Sequence, residues 1–228
     1  MKLLIKQLFV LLFFFLSVIL VNAQYKYGLK PVTYPTYSQQ VKKDPQKELI
    51  DLEKFIPGII LDIRYATANN FTHEKIYKQA RAFARRPVAE ALKKAQEEFS
   101  KHSVGIKVYD GYRPYAATVK FYEVYPDTTF VASPYKGSRH NRGCAIDMTL
   151  IDLKTKEELK MPTEYDAFVR AARPTYPVKD EEIKKNRALL IDVMSKYGFK
   201  VNSAEWWHFD FIGYRSYEVL DIAFEELD

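Results

Sequence analysis

The sequence predicts an α+β fold: one domain with a central, largely antiparallel sheet flanked by helices. Three observations carry that prediction. Strand-like and helix-like periodicities follow one another without a repeating strand–helix unit, so a doubly wound or barrel α/β architecture is not expected. Residues 144–150 and 206–211 alternate in period two, each setting one face of mixed or polar residues against an apolar face. No internal repeat breaks the roughly 205 residues after position 23, enough for one core of substantial size.

The elements follow in order. Lys2 and Lys6 precede an apolar run over 8–21 that ends in Val21-Asn22-Ala23. A basic start, a short apolar stretch and small residues at the end describe a secretory signal peptide over 1–23, with the mature chain exported to the periplasm or beyond. The run is shorter than the ~20 residues of a spanning helix. Residues 24–47, with Tyr25, Tyr27, Pro31, Tyr34, Pro35, Tyr37 and Pro45, show no period and predict an extended Tyr/Pro-rich leader. A single folded domain is expected over 48–228.

Within it, Pro57-Gly58 turns into a β-branched run, 59–65, that predicts a buried strand. Pro87 opens an amphipathic helix to His102, with Val88, Leu92, Ala95 and Phe99 on the core side. His102 sits at its C-terminal end, where the helix dipole favours a cation. Residues 104–110 alternate as a half-buried strand, and Asp110-Gly111-Tyr112-Arg113-Pro114 turns the chain into a helix ending near Val124. A loop over 125–142 leads to the strand from Cys144. There Cys144, Ile146, Met148 and Leu150 face the core, and Ala145, Asp147 and Thr149 face the other way. Asp180 caps a helix whose stripe is Ile183, Leu190, Ile191 and Met194, and Gly198 stops it. A short strand over 199–201 precedes the last one, on which Trp207, Phe209 and Phe211 oppose Trp206, His208 and Asp210.

Composition excludes some functions. Lys and Arg exceed Asp and Glu by six, and by four without Lys2 and Lys6, but the signs are interleaved and no basic block suggests nucleic acid. Cys144 is the only cysteine, so no intrachain disulfide forms, and its place on the core face makes it a buried, inert thiol.

Two of the four histidines stand beside carboxylates at short spacing: His140 seven before Asp147, and His208 three after Glu205. Two neutral imidazoles and one carboxylate are the ligands of a catalytic zinc, with a fourth position open to water. Asp147 and His208 lie on the polar faces of two strands and meet if those strands are neighbours. Glu205 falls in the turn before the second strand, from which it can handle protons, and Arg113 is the candidate to stabilise charge developing on a substrate oxygen. His73 has no such company and is expected at the surface.

Ser138-x-His140-x-x-Gly143-x-Ala145-x-Asp147, followed by Glu205-x-Trp207-His208, resembles the two signature motifs of the zinc D-alanyl-D-alanine peptidases. Within that group the chain looks most like the D-Ala-D-Ala dipeptidases of the VanX type, a likeness that also takes in Asp62-Ile63-Arg64-Tyr65-Ala66-Thr67 and Asp110-Gly111-Tyr112-Arg113-Pro114 and spans about residues 49–212. The resemblance implies one zinc ion (Zn2+) on His140, Asp147 and His208, Glu205 as catalytic base, and Arg113 at the scissile carbonyl. Ser138 would help to bind a small dipeptide, whose free amine would meet Asp166. The family's Met-Gly-Thr-x-Phe-Asp run stands here as Met161-Pro162-Thr163-Glu164-Tyr165-Asp166. The implied reaction is hydrolysis of D-Ala-D-Ala to two D-alanines, in wall-peptide turnover or scavenging. The alternatives are a D,D-carboxypeptidase or endopeptidase on peptidoglycan stems, and a non-catalytic wall-peptide-binding module, which would have no need of Glu205.

Overall fold

The structure is a computed structural model that describes residues 26–227; the expected signal peptide lies outside the described residues. Five strands form the main sheet in the order β2-β4-β5-β7-β6: β2 Ile60–Leu61, β4 Val104–Asp110, β5 Ala145–Asp152, β7 His208–Phe211 and β6 Phe199–Val201. Only β2 and β4 run parallel; β4–β5, β5–β7 and β7–β6 are antiparallel. The mixed α+β fold with a largely antiparallel sheet is therefore as expected. A separate ribbon pairs β1 Leu49–Asp51 with β3 Phe83–Arg85, and one helical turn, α2 Leu52–Phe55, follows β1.

Two longer helices pack beside one another against the sheet. In α3, Arg86–Ser100, the expected stripe of Val88, Leu92, Ala95 and Phe99 is fully buried. In α5, Glu181–Lys196, Asp180 caps the first turn by accepting from the backbone N–H groups of Glu182 and Ile183. Its buried stripe is Asn186, Leu190, Val193 and Met194, while Ile183 and Ile191 lie at its margins. Asn186 is accommodated because its amide donates to the Lys160 carbonyl. Between them in the chain, α4, Tyr115–Val124, starts after Pro114, and Arg113 before it is non-helical, as a residue preceding proline should be.

Two expectations are corrected. Residues 24–47 are not an extended leader throughout: Tyr34–Lys43 form helix α1, and Pro45–Lys47 a 3-10 turn. Pro35 supports the first turn, where its missing N–H costs nothing, and the helix is fastened by tertiary contacts that periodicity cannot reveal. Tyr37 is buried and its hydroxyl accepts from the Leu49 backbone N–H at 2.7 Å. The 59–65 strand shrinks to Ile60–Leu61, because the chain turns in a 3-10 helix over Arg64–Ala66 that drives Tyr65 into the core. His102 lies in the exposed turn just past the end of α3, as expected at that C-terminal end, and its backbone N–H donates to the Phe99 carbonyl at 2.9 Å.

Candidate metal centre and active-site cavity

Three strands bring the polar centre together. In the sheet register Asp110 of β4 pairs with Asp147 of β5, and Asp147 with His208 of β7. A bulge between Val108 and Asp110 re-aims the end of β4. His140 enters from the 3-10 turn His140–Arg142, which Gly143 closes at φ 68°. A Cβ at Gly143 would meet Leu49 Cδ2 at 2.7 Å and the Arg85 backbone N at 3.3 Å, so both conformation and space call for glycine.

The far nitrogen of each imidazole fixes its tautomer. His140 Nδ1 is 2.7 Å from the Gly111 carbonyl oxygen, a contact only an N–H makes, so Nε2 keeps its lone pair. His208 Nε2 lies 2.9 Å from Asp210 Oδ1, which leaves Nδ1 as the acceptor. These two nitrogens are 3.1 Å apart, and Asp147 Oδ1 stands 3.3 Å from the first and 3.0 Å from the second. Asp147 Oδ1 is buried without a hydrogen-bond partner, while Asp147 Oδ2 accepts from the Tyr165 hydroxyl at 3.1 Å.

Three electron-pair donors thus converge on one point and repel one another unless a positive charge joins them. The titration of the cluster says the same. Burial disfavours a charged His208, yet Asp147 and Asp210 lift it to about 10. Burial would raise Asp147, yet His140 and His208 hold it well below the usual carboxylate range. A proton can answer that demand, and so can a metal ion. Two lone-pair imidazoles and one carboxylate, each steadied through its other polar atom, fit a catalytic divalent site.

The remaining candidates surround the same cavity, with room for water over about 100 Å3, lined by Arg113, Ser138, Asp166 and Glu205 together with the three donors. Glu205 lies in the turn before β7, as expected, with Oε2 3.9 Å from His208 Nδ1 and receiving a hydrogen bond from Asn202 Nδ2 at 3.3 Å. Burial pushes it up to about 7, where a carboxylate can serve as a base and then as an acid. Arg113 donates from Nε and Nη2 to Asp110 Oδ2 at 2.9 and 2.7 Å, and its plane lies over Phe121. Asp110 Oδ1 in turn accepts from the Tyr77 hydroxyl and the Gly111 N–H, so this buried pair is well satisfied.

Ser138 Oγ accepts from the His140 backbone N–H at 3.0 Å. Asp166, at a left-handed φ of 57°, accepts from the Tyr65 hydroxyl at 2.8 Å, and burial together with the charge of Asp147 pushes its carboxyl well up. Proline at 162 therefore does not keep Asp166 from the cavity. Cys144 is buried, points to the Arg142 carbonyl, and has its thiol pushed up to about 12 by burial. It takes no part, and His73 is exposed.

Residues 45–224 match the family model described as D-ala-D-ala dipeptidase. The chain belongs to that family. This dipeptidase-family chain is thus an enzyme, a metallopeptidase, with a possible metal site in His140, Asp147 and His208. A D-alanyl-D-alanine dipeptidase of Escherichia coli (strain K12) is 34% identical over 76% of this chain and 89% of its own length. One of Enterococcus faecium is 31% identical over 69% and 88%, and one of Enterococcus faecalis 30% over 71% and 90%. Among solved structures, the vancomycin resistance D,D-dipeptidase VanXYg in complex with a D-Ala-D-Ala phosphinate analog aligns with 73% of this chain and 68% of its own, at 23% identity and a TM-score of 0.37.

Sequence reasoning missed four supports of this family site. Asp210, which orients His208, lies two positions on along the same strand face, and the period-two pattern could have marked it. Asp110 stands three before Arg113 in a quoted motif. Tyr165 and Asn202 reach Asp147 and Glu205 across loops, and no local spacing signals those contacts.

Proposed function

We propose that this chain is an exported zinc dipeptidase that hydrolyses D-Ala-D-Ala to two D-alanines. One observation carries the reading: the buried, unpartnered Asp147 Oδ1 faces the lone-pair nitrogens of His140 and His208, with Glu205 beside them and Asp166 across one cavity. Zinc held by those three residues would supply Lewis acidity at the scissile carbonyl and lower the pKa of water.

The protein's own groups account for the rest. Glu205 accepts the proton of the attacking water and passes it to the departing amine, which its elevated pKa suits. Arg113, pinned by Asp110, presents its remaining donors to the carbonyl oxygen as negative charge develops there. Asp166 takes the substrate ammonium, whose charge favours ionisation of a carboxyl that burial otherwise holds neutral. The Ser138 hydroxyl, accepting from His140 N–H, keeps its own proton free for the substrate.

An acid reserved for a free amine favours a dipeptide over a longer stem peptide. Comparing D-Ala-D-Ala with its N-acetylated form tests that preference: the free dipeptide is expected to be cut at least ~10-fold faster, and equal rates would argue for a stem-peptide enzyme. Export follows from residues 1–23 and points to wall-peptide turnover or D-alanine scavenging. A mature N-terminus at Gln24 is the expected result of sequencing the secreted protein.

A further inference from the structure

A dipeptide is a zwitterion, and Asp166 answers only its ammonium. Two cations line the cavity, Arg113 and Arg139. Arg113 is committed to Asp110 by two hydrogen bonds. Arg139 is open: its side chain is 48% exposed, and its Nε stands 3.5 Å from Asp210 Oδ2, beyond the length of a formed hydrogen bond. Asp210 is in any case engaged by His208.

Arg139 sits where the inner cavity meets a second cleft, lined also by Lys200, Tyr214 and Arg215, in which Asp210 is the one carboxylate. The two spaces share Thr128, Thr129, Arg139 and Asn202, whereas Asp166 and Tyr65 line only the inner one. The ammonium end and this cationic mouth are therefore different ends of the substrate's path. The Tyr214 ring lies 5.2 Å from the Arg139 guanidinium and 5.3 Å from that of Arg215, which steadies both without consuming their in-plane donors.

We propose that Arg139 binds the terminal carboxylate of the substrate, with Arg215 and Lys200 extending the positive field behind it. The inference rests on the dipeptidase reading, in which Asp166 marks the amine end. A guanidinium's forked donors match a carboxylate in a way no other free side chain of the cavity does.

Steady-state kinetics of the zinc-loaded wild type, Arg139→Ala and Arg139→Lys test it, on D-Ala-D-Ala and on D-Ala-D-Ala amide, which lacks the carboxylate. Zinc content is measured in each, because Arg139 stands beside Asp210. The expected result is a KM for D-Ala-D-Ala raised about 10- to 100-fold in Arg139→Ala with kcat little changed, partial recovery in Arg139→Lys, and no change on the amide. The same loss on both substrates, no loss on either, or a fall in kcat that tracks lost zinc would overturn the assignment. A wild type that carries zinc and cuts neither substrate would instead overturn the dipeptidase reading.

Discussion

At the scale of single residues, Glu205 and Tyr165 do separable work. Glu205→Ala removes the proposed base, whose side chain makes none of the hydrogen bonds that hold the metal donors, so the variant should keep zinc and lose at least ~10²-fold in kcat. Near-normal turnover would exclude Glu205 as the base. Its pH behaviour follows from its place. Burial raises Glu205 to about 7, and a nearby cation draws it lower, so kcat/KM should fall on an acid limb at or below about pH 7 as the base becomes protonated. A wild-type profile flat down to pH 4 would contradict this. Tyr165 donates to the oxygen of Asp147 that faces away from His140 and His208. Tyr165→Phe keeps the ring stacked on Tyr109 at 4.4 Å but frees that carboxylate to turn, so zinc affinity in chelator competition should drop ~10- to 100-fold. Unchanged affinity would reduce Tyr165 to packing.

At the scale of elements, the site depends on strand register and on one tight turn. Asp147 and His208 are cross-strand partners on β5 and β7, and a slip by one residue would send them to opposite faces. Gly143 joins the His140 turn to β5 in a left-handed conformation against Leu49 and Arg85. Gly143→Ala should cost about 1–3 kcal/mol of stability, seen as a lower denaturation midpoint, with zinc affinity reduced as His140 is displaced. A fully stable variant would show the turn to be adaptable. These elements also show what sequence periodicity can carry. The β5 alternation placed Cys144 in the core and Asp147 opposite, and the turn position of Glu205 followed from strand parity. The α1 helix and the β1–β3 ribbon escaped because they are held by contacts distant in sequence, such as Tyr37 with Leu49, rather than by their own pattern. Asp210 was readable; Tyr165 and Asn202 were not, since loops carry no period to place their side chains.

For the whole molecule, three strands of a mostly antiparallel sheet and the turn before β5 converge on one cluster that favours positive charge. No helix among the described residues is long and apolar enough to cross a membrane. Because the converging donors repel one another without a cation, metal binding should be coupled to stability: zinc at 100 times its dissociation constant should add about 2.7 kcal/mol. A melting temperature indifferent to chelation would separate the cluster from any metal. The central claim is that the three converging donors hold zinc for hydrolysis of a free D,D-dipeptide. Metal analysis of the purified protein, combined with D-alanine release from D-Ala-D-Ala before and after chelation, tests it most directly. One zinc per chain, two D-alanines per dipeptide, loss of turnover on zinc removal and recovery on its return are the expected results. Turnover that persists in the zinc-free protein, or a zinc-loaded protein that releases no D-alanine, would contradict it.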